Sequence, residues 1–314
     1  MNGGCYGAMG RDERKEKRET GTVAVMSAVA DGLAGLGAWY AERGRHALPW
    51  RRTRDAWAVF VSEVMLQQTQ VDRMKPYWVR WMARWPTVAE LAAEPAAEAI
   101  REWAGLGYNR RALHLHRAAQ AVVERYEGRF PLEERAIRAL PGAGEYTAAA
   151  VACFAGGART VVADTNIARV LARAALGVAS QREASAGAVR GAGEALLPAV
   201  DARDHNLALM DLGAMVCMPK APECDACPLG AACAWRAAGY PAGVTPLKTA
   251  PRFEATARFA RGRIIDALRT GARPEHELGG GLPPAHAAKL HAYMAALEKE
   301  GLVVRVGDGW ALPH

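Results

Sequence analysis

The sequence has no long apolar run, no low-complexity tract and, before its C-terminal end, no strand pattern of any length. No stretch of the 314 residues approaches the roughly 20 consecutive apolar residues that a membrane helix requires. Residues 1–22 hold a charged run without an apolar h-region, which excludes a secretory signal. We therefore expect a cytoplasmic, mainly helical protein with a disordered tail over residues 1–26, in which Met26 is an alternative start.

Cysteine is scarce, and most of it is concentrated in one segment. Four of the six cysteines fall within residues 217–233 at the spacing C-x6-C-x2-C-x5-C, namely Cys217, Cys224, Cys227 and Cys233. In a chain without a signal, such clustering indicates metal ligation and not disulfides. Four thiolates suit a tetrahedral metal or an iron–sulfur cluster. Zinc ligands usually come as two close pairs, and the wide first gap fits that arrangement poorly.

Positive charge exceeds negative charge, with 40 Lys and Arg against 33 Asp and Glu, for a net charge of +7. This excess favours a polyanionic partner, although a basic protein without such a partner has the same balance. The length predicts about two domains, and a hydrophobic half of the residues supports a sizeable core. We divide the chain after the tail into a helical region at 27–236, a linker at 237–254 and a separate module at 255–314.

A strongly apolar helix is predicted over residues 55–71, because apolar residues recur there at three- and four-residue spacing. Glu63 lies among these residues and shares one side of the helix with Gln67 and Gln70. Such a carboxylate is either a surface residue at the edge of the apolar stripe or an acid held in a pocket. Burial would keep it protonated near neutrality, as a general acid requires.

Two segments further along the chain place glycine or aspartate at a helix start. Residues 140–144 read Leu-Pro-Gly-Ala-Gly between two predicted helices, and the two glycines allow a tight hairpin whose backbone amides bind a phosphate. An ordinary Pro-Gly turn explains this pattern equally well. Asp164 follows an apolar segment and precedes the helix predicted from Asn166. It is either the N-cap of that helix or a carboxylate directed into a cleft.

Residues 255–314 form a small unit of their own pattern. Two helices are predicted at 256–270 and 285–300, followed by a hairpin over 302–312 with a Gly-Asp-Gly turn. Helices that end in a β-ribbon are typical of a winged-helix module. Such a module either contacts DNA or protein or serves as a structural cap.

The order of these features resembles the helix–hairpin–helix DNA glycosylases, and within them the adenine DNA glycosylases of the MutY type. The resemblance covers about residues 30–235 and is most specific in Glu63-Val-Met-Leu-Gln-Gln-Thr69 and in the cysteine spacing. It implies an all-α, two-lobed fold around a DNA-binding cleft, with a [4Fe–4S] cluster on the cysteine loop and the winged-helix-like α+β module appended. It also implies a monomer that binds double-stranded DNA in the nucleoid and removes adenine mispaired with 8-oxoguanine or guanine.

The resemblance assigns roles residue by residue. Glu63 matches the catalytic acid, Asp164 the catalytic aspartate, and Tyr146 and Asn166 two supporting residues. Relatives with lyase activity carry a lysine where this chain has Tyr146, so the resemblance implies a monofunctional glycosylase. Further positions match the adenine pocket, the wedge that enters the duplex and the phosphate-binding hairpin: Trp50, Arg51, Gln67, Gln68, Thr69, Leu106, Tyr108, Leu140, Gly142, Gly144 and Leu207.

The chain departs from the family pattern at three places. Leu207 stands where the family carries Gln or Glu near the adenine, and Asn109 replaces an aromatic residue after Tyr108. Residues 255–314 are too short and too helical for the usual C-terminal domain that helps to recognise 8-oxoguanine. Leu207 leaves open a glycosylase that removes uracil or thymine opposite guanine. The winged-helix-like module leaves open a second alternative, a non-catalytic, cluster-bearing DNA-binding protein.

Overall fold

The computed structural model describes residues 11–243 and 251–314, with side chains from residue 25 onward. The described chain is mainly helical and divides into two compact units. The cysteine-loop unit combines the chain up to Arg45 with the part from Gly157 to the end of the first described range. The hairpin unit combines His46–Gly156 with residues 251–314. No helix in the described ranges is both long enough and apolar enough to cross a membrane.

The cysteine-loop unit is built around α9, which packs against α10, α11 and α12. A buried Asp211 on α11 binds the backbone amide and the guanidinium of Arg45, at 2.8 and 2.6 Å, and so fixes the end of the first helix. The helices of this unit are α1 (Arg11–Arg43), α9 (Thr165–Ala174), α10 (Ala186–Leu196), α11 (Ala202–Met215) and α12 (Ala234–Ala237).

Part of the expected N-terminal tail is helical. Residues 11–26 belong to α1, whereas residues 1–10 lie outside the described residues. The charged run is rich in Arg, Lys and Glu, which are strong helix formers, so low hydrophobicity alone does not prevent a helix there. Of the linker predicted at 237–254, residues 244–250 also lie outside the described residues.

The hairpin unit is centred on α2, which is buried on all sides and packs against α3, α6 and α8. The Asp55 side chain caps its N-terminus by accepting a 2.7 Å hydrogen bond from the amide of Ala58. The helices before the C-terminal module are α2 (Ala56–Leu66), α3 (Val71–Arg84), α4 (Val88–Ala93), α5 (Ala96–Glu102), α6 (Arg110–Tyr126), α7 (Glu134–Arg138) and α8 (Glu145–Phe154).

Two predicted helices are shorter in the structure. The helix expected over 55–71 ends at Leu66, because Gln68 takes a left-handed conformation with φ 58°. Gln70 is therefore not on the face of Glu63; it precedes α3 as its N-cap residue. The sequence also has a helical pattern over residues 87–104, opening after Pro86-Thr87. The structure splits it into α4 and α5 at Pro95, which lacks a backbone donor and cannot continue α4.

The C-terminal module has the winged-helix order of elements: helix, strand, helices and a β-hairpin. The three strands form an antiparallel sheet in the order β1-β3-β2. Trp310 on the central strand β3 pairs with Arg273 of β1 on one side and with Arg305 of β2 on the other. The sequence did not predict the short first strand. The elements are α13 (Ala257–Leu268), β1 (Arg273–Pro274), α14 (Glu275–Gly280), α15 (Pro284–Ala287), α16 (Leu290–Glu300), β2 (Val304–Val306) and β3 (Gly309–Ala311).

Candidate active site

Glu63 is a buried carboxyl group in the centre of α2. Its residue is only 5% exposed, which excludes the surface interpretation. The phenol of Tyr146, in the first turn of α8, donates a 2.9 Å hydrogen bond to Glu63 Oε2. The packing of α2 against α8 brings these two side chains together from distant parts of the sequence. A buried carboxyl group with a fixed hydrogen-bond partner has the environment of a general acid.

The Leu140–Gly144 segment forms a tight turn between α7 and α8. Leu140 is buried and anchors it, while Gly142 has φ +82°. A side chain at Gly142 would also place its Cβ 2.8 Å from the Cβ of His114, so two independent reasons require glycine there. Gly144 is the N-cap residue of α8. The turn therefore lies at a helix N-terminus, where backbone amides bind anions.

Gln67 connects this hairpin to the end of the helix that carries Glu63. Its side-chain amide lies 3.5 Å from the carbonyl oxygen of Gly142 and 3.4 Å from the hydroxyl of Thr147. Thr147 is the residue after Tyr146 on α8. The hairpin is thus linked structurally to the position of the Glu63–Tyr146 pair.

Two predicted site residues of the hairpin unit other than glycine are held in left-handed conformations. Gln68, with φ 58°, follows α2, and Tyr108, with φ 49°, precedes α6. Such conformations cost free energy and persist where the surrounding structure enforces them. Gln68 is exposed and Tyr108 is 40% exposed, whereas Leu106 is only 5% exposed. The resemblance assigns four residues to the wedge and to the opposite base, namely Gln68, Thr69, Leu106 and Tyr108. Of these, Gln68 and Tyr108 present the most surface.

Arg111, which sequence analysis did not select, holds both turns. Its buried guanidinium donates to the carbonyl oxygens of Met65 (2.8 Å) and Gly107 (3.1 Å) and to the hydroxyl of Thr69 (3.1 Å). It also donates to the carbonyl of Gln67 and lies 5.5 Å from the centre of the Tyr108 ring. Burial lowers the pKa of Arg111 to about 10, so the group stays charged at neutral pH.

Replacing Arg111 with methionine should destabilise the protein. The change leaves several buried carbonyl groups without a donor, and we expect the free energy of unfolding to fall by about 3 kcal/mol. Urea denaturation followed by circular dichroism measures this. The matched control is Arg110→Met on the neighbouring exposed arginine, for which a change within about 0.5 kcal/mol is expected. Equal stability of the two variants would contradict the role of Arg111.

In the cysteine-loop unit, Asp164 caps α9. Its Oδ1 accepts hydrogen bonds from the amides of Asn166 (2.9 Å) and Ile167 (2.7 Å), and its Oδ2 accepts one from the Asn166 side chain (2.7 Å). Burial raises the pKa of the Asp164 carboxyl above its ordinary value of 3.8, and these hydrogen bonds oppose that effect. The N-cap interpretation is therefore correct as far as it goes. It also leaves a carboxyl group held rigidly at the positive end of a helix.

Arg169 and Arg173 connect α9 to the cysteine loop, and the sequence analysis missed both. Arg169 donates to the side-chain oxygen of Asn166 (2.9 Å) and to the carbonyl of Cys217 (2.8 Å). Arg173 donates to the carbonyl of Met218 at 2.8 Å and lies 3.4 Å from Cys217 Sγ. Interior arginines at i and i+4 on a predicted helix are the signal that could have revealed them.

The four cysteines of the loop fit an iron–sulfur cluster by their chemistry. None is in a disulfide, and burial together with the other three sulfurs raises the pKa of Cys227 to about 11. Within the described ranges, no three Cys, His, Asp or Glu side chains lie close enough to hold one metal ion. A cubane cluster is wider than a single ion, because each thiolate binds a different iron. The nearby arginines Arg173 and Arg236 suit the negative charge of four thiolates.

The remaining predicted pocket residues lie in both units. In the hairpin unit, Trp50 is buried with its ring 6.0 Å from that of Trp78, in an edge-on arrangement, and Arg51 follows it in a short helical turn, Pro49–Arg51. In the cysteine-loop unit, Leu207 on α11 is only 3% exposed. Its neighbour Asn206 accepts a 2.9 Å hydrogen bond from the amide of Val162 and so fixes the segment that leads to Asp164.

Comparison with known proteins agrees with this arrangement. Residues 61–189 match the model of the HhH-GPD superfamily base excision DNA repair proteins. The adenine DNA glycosylase of Mycolicibacterium smegmatis is 44% identical over 237 residues, which are 75% of this chain and 80% of that protein. The adenine DNA glycosylase of Mycobacterium tuberculosis H37Rv is 40% identical over 281 residues, or 88% of this chain and 91% of the relative. Because residues 1–254 make up less than 88% of this chain, the match with that relative extends into residues 255–314.

A solved structure supports the same assignment. The structure of a thermostable thymine-DNA glycosylase matches with a TM-score of 0.57 and 28% identity, covering 72% of this chain and 99% of the other. This chain thus combines the described helix order, the hairpin at 140–144 and the cysteine loop. A relative named adenine DNA glycosylase matches it over 75% of its length. The chain is a DNA glycosylase that belongs to the HhH-GPD superfamily of base excision DNA repair proteins and, within it, to the adenine DNA glycosylase family.

Proposed function

We propose that this glycosylase hydrolyses the N-glycosidic bond of adenine mispaired with 8-oxoguanine or guanine in double-stranded DNA. The observation that carries the proposal is the buried Glu63, which is hydrogen-bonded to Tyr146. Glu63 lies on α2, whose end contacts the Leu140–Gly144 hairpin through Gln67. Its relatives named adenine DNA glycosylase, at 44% and 40% identity, support the choice of base. In this proposal, the protein acts as a monomer in the cytoplasm, at the nucleoid.

Glu63 supplies the proton that makes adenine a leaving group. Adenine leaves slowly as an anion, and protonation of a ring nitrogen neutralises it. The proposal requires Glu63 to be in its acid form when the base leaves. Tyr146 orients the carboxyl through its 2.9 Å hydrogen bond. Trp50 and Arg51 form the wall of the base pocket in this proposal.

Asp164 stabilises the positive charge that develops on the sugar when the base leaves. An ionised carboxylate next to an oxocarbenium-like sugar lowers the energy of the transition state. Its two oxygens are held by the amides of Asn166 and Ile167 and by the Asn166 side chain, so the group need not reorganise during the reaction. Arg169 in turn holds Asn166. The division between a protonated and an ionised carboxyl matches that of sugar hydrolases.

The hairpin and the two strained turns hold the DNA. Backbone amides at Gly142 and Gly144 bind phosphate oxygens without reading the sequence. The target base must leave the stack, which costs a few kcal/mol, and side chains must occupy the space it leaves. Gln68, Thr69, Leu106 and Tyr108 take that role and hold the base opposite the target, with Gln68 and Tyr108 presenting the most surface.

The protein should act as a glycosylase without lyase activity. A lyase needs an amine that forms a Schiff base with the sugar, and the phenol of Tyr146 cannot form one. Borohydride reduction during turnover is therefore expected to trap no covalent protein–DNA adduct. A trapped adduct on a denaturing gel would show that a lysine elsewhere in the chain acts as a nucleophile.

Cys217, Cys224, Cys227 and Cys233 are proposed to hold a [4Fe–4S] cluster. When bound, this group cross-links the loop and shapes it for phosphate contact through residues such as the exposed Lys220; it takes no part in the bond cleavage. The loop also reaches the catalytic segment, because Arg169 binds both the Cys217 carbonyl and Asn166. Loss of the cluster should therefore disturb Asp164 as well as the loop.

Protein purified without oxygen should be brown and contain about four irons per chain. Removal of the iron by chelation under oxidising conditions should lower the thermal stability, because cluster binding contributes to folding. Iron analysis, visible absorption and a melting curve measure these properties. Stoichiometric zinc with no visible absorbance would contradict the cluster assignment.

The choice of substrate is tested by single-turnover excision from duplexes that pair adenine, thymine or uracil with 8-oxoguanine or guanine. We expect adenine to be removed and the two pyrimidines to be retained. Release of thymine or uracil opposite guanine would favour the second candidate, which Leu207 and the likeness to a thymine-DNA glycosylase structure support. Binding without release of any of these bases would contradict the proposed choice of substrate.

A further inference from the structure

The C-terminal module is docked on the turn that carries Tyr108. Arg269, at the end of α13, donates a 2.9 Å hydrogen bond to the side-chain oxygen of Asn109 and a 3.2 Å bond to the carbonyl of Arg101. Arg101 returns a 3.1 Å hydrogen bond to the carbonyl of Arg269. At the end of the chain, Pro313 accepts a 2.9 Å bond from the amide of Ala97. Asn109, one of the departures from the family pattern, is thus a docking residue for this module.

A second arginine of α13, Arg258, lies directly on Tyr108. Its guanidinium carbon is 4.6 Å from the centre of the Tyr108 ring and 4.8 Å from that of Phe253. It also donates a hydrogen bond to the Tyr108 hydroxyl. Two aromatic rings and this hydrogen bond therefore set the orientation of the guanidinium, although Arg258 is an exposed residue.

The position of Arg258 gives it a chemical target. One of its donors is used by Tyr108, and a guanidinium has five N–H donors in a planar fork. Guanine offers two adjacent acceptors, O6 and N7, that match this fork, whereas adenine offers one acceptor and one donor there. A fork fixed beside Tyr108 would therefore favour guanine over adenine, and also over 8-oxoguanine, whose N7 carries a hydrogen and is a donor.

We infer that Arg258 is a specificity-determining residue that contacts the O6 and N7 acceptors of a guanine opposite the excised nucleotide. The inference rests on the proposed function in one respect, since Tyr108 is taken to hold that opposite base. It gives the winged-helix-like module a role in choosing the mispair. It also explains why Asn109 replaces an aromatic residue: the amide oxygen fixes the module through Arg269.

The test is a binding experiment that does not depend on adenine excision. Duplexes carry a tetrahydrofuran abasic analogue opposite guanine, 7-deazaguanine or thymine, and fluorescence anisotropy gives the dissociation constants. Replacing N7 by carbon removes one acceptor of the pair. We expect the unmodified protein to bind the guanine duplex about tenfold more tightly than the 7-deazaguanine duplex.

Arg258→Met removes the fork while keeping a long side chain over Tyr108. This variant should bind the guanine duplex about tenfold more weakly and should no longer distinguish guanine from 7-deazaguanine. Arg258→Lys, which keeps the charge without the fork, should lose most of the distinction. The matched control is Arg263→Met, an exposed arginine of the same helix, which should keep the full preference. Circular dichroism confirms that each variant is folded.

Three results would overturn the inference: a preference for guanine retained by Arg258→Met, an equal loss on all three duplexes, or no preference in the unmodified protein. An equal loss would mean that Arg258 only positions Tyr108 or contacts a phosphate. In the phosphate case the variant would also reduce the slope of log affinity against log salt by about one. Failure to excise adenine would overturn the proposed function separately, because the binding comparison uses no adenine.

Discussion

Glu63→Gln is expected to lower the single-turnover rate of adenine excision by about 10²–10⁴-fold. The amide has the size and polarity of the acid, but it cannot transfer a proton to the leaving base. Tyr146 can still donate its hydrogen bond to the amide oxygen, so the packing of α2 against α8 should be preserved. The loss should therefore lie in the chemical step, with binding of the mismatched duplex unchanged.

The matched control for this variant is Glu124→Gln, the same change at an exposed position of α6. It should leave both excision and binding at the level of the unmodified protein. Rapid-quench excision and anisotropy binding are measured on the same preparations, with urea denaturation as a check on folding. Near-normal excision by Glu63→Gln would refute the role of general acid. If this variant proves unstable, Glu63→Asp provides a second test. Aspartate keeps the carboxyl group but is one methylene shorter, so this variant should retain more activity than one with an amide.

Asp164→Asn should lower the excision rate by on the order of 10²-fold or more. The amide can still accept the hydrogen bonds from Asn166 and Ile167 that cap α9, so the cost in stability should be small. What the variant lacks is the negative charge that stabilises the sugar cation. In the unmodified protein the rate should fall as the pH decreases through the pKa of this carboxyl, which burial raises above 3.8.

A second N-cap of the same chain provides the control for Asp164. Asp55 caps α2 with a 2.7 Å hydrogen bond to the amide of Ala58, and Asp55→Asn makes the same chemical change at an exposed cap. Excision should remain normal in that variant, because only Asp164 is placed in the chemistry. If Asp164→Asn also excised adenine at a normal rate, the aspartate would be a helix cap and nothing more.

Several features of this protein were readable from the sequence because they depend on neighbouring residues. The N-cap at Asp164, the glycine turn at Leu140–Gly144 and the grouped cysteines each involve residues within a few positions of one another. Local backbone preferences and hydrogen bonds decide such features. The same holds for the wing of the C-terminal module, whose Gly-Asp-Gly turn marks the hairpin.

The end of α2 shows where local reasoning failed. The apolar pattern continues to Val71, but the helix stops at Leu66, and Gln68 adopts a left-handed conformation. Arg111 holds the carbonyl groups of that turn from another helix. Arg111 and Gln67 are more than 40 positions apart in the chain. The spacing of apolar residues within one helix carries no information about such a contact. The exposed turn that follows Glu63 is therefore a consequence of the fold and not of the local sequence.

The sequence by itself determined the helical class, the glycine hairpin, the capping aspartate and the grouping of the four cysteines in one loop. Tertiary structure alone decided that Glu63 is buried against Tyr146, that Arg111 holds both strained turns, and that Arg258 lies on Tyr108. These pairs join residues that are distant along the chain, and only the packing of whole helices brings them together. Hydrogen-bond and burial energies act on distances in space, whereas the patterns of a sequence record only distances along the chain.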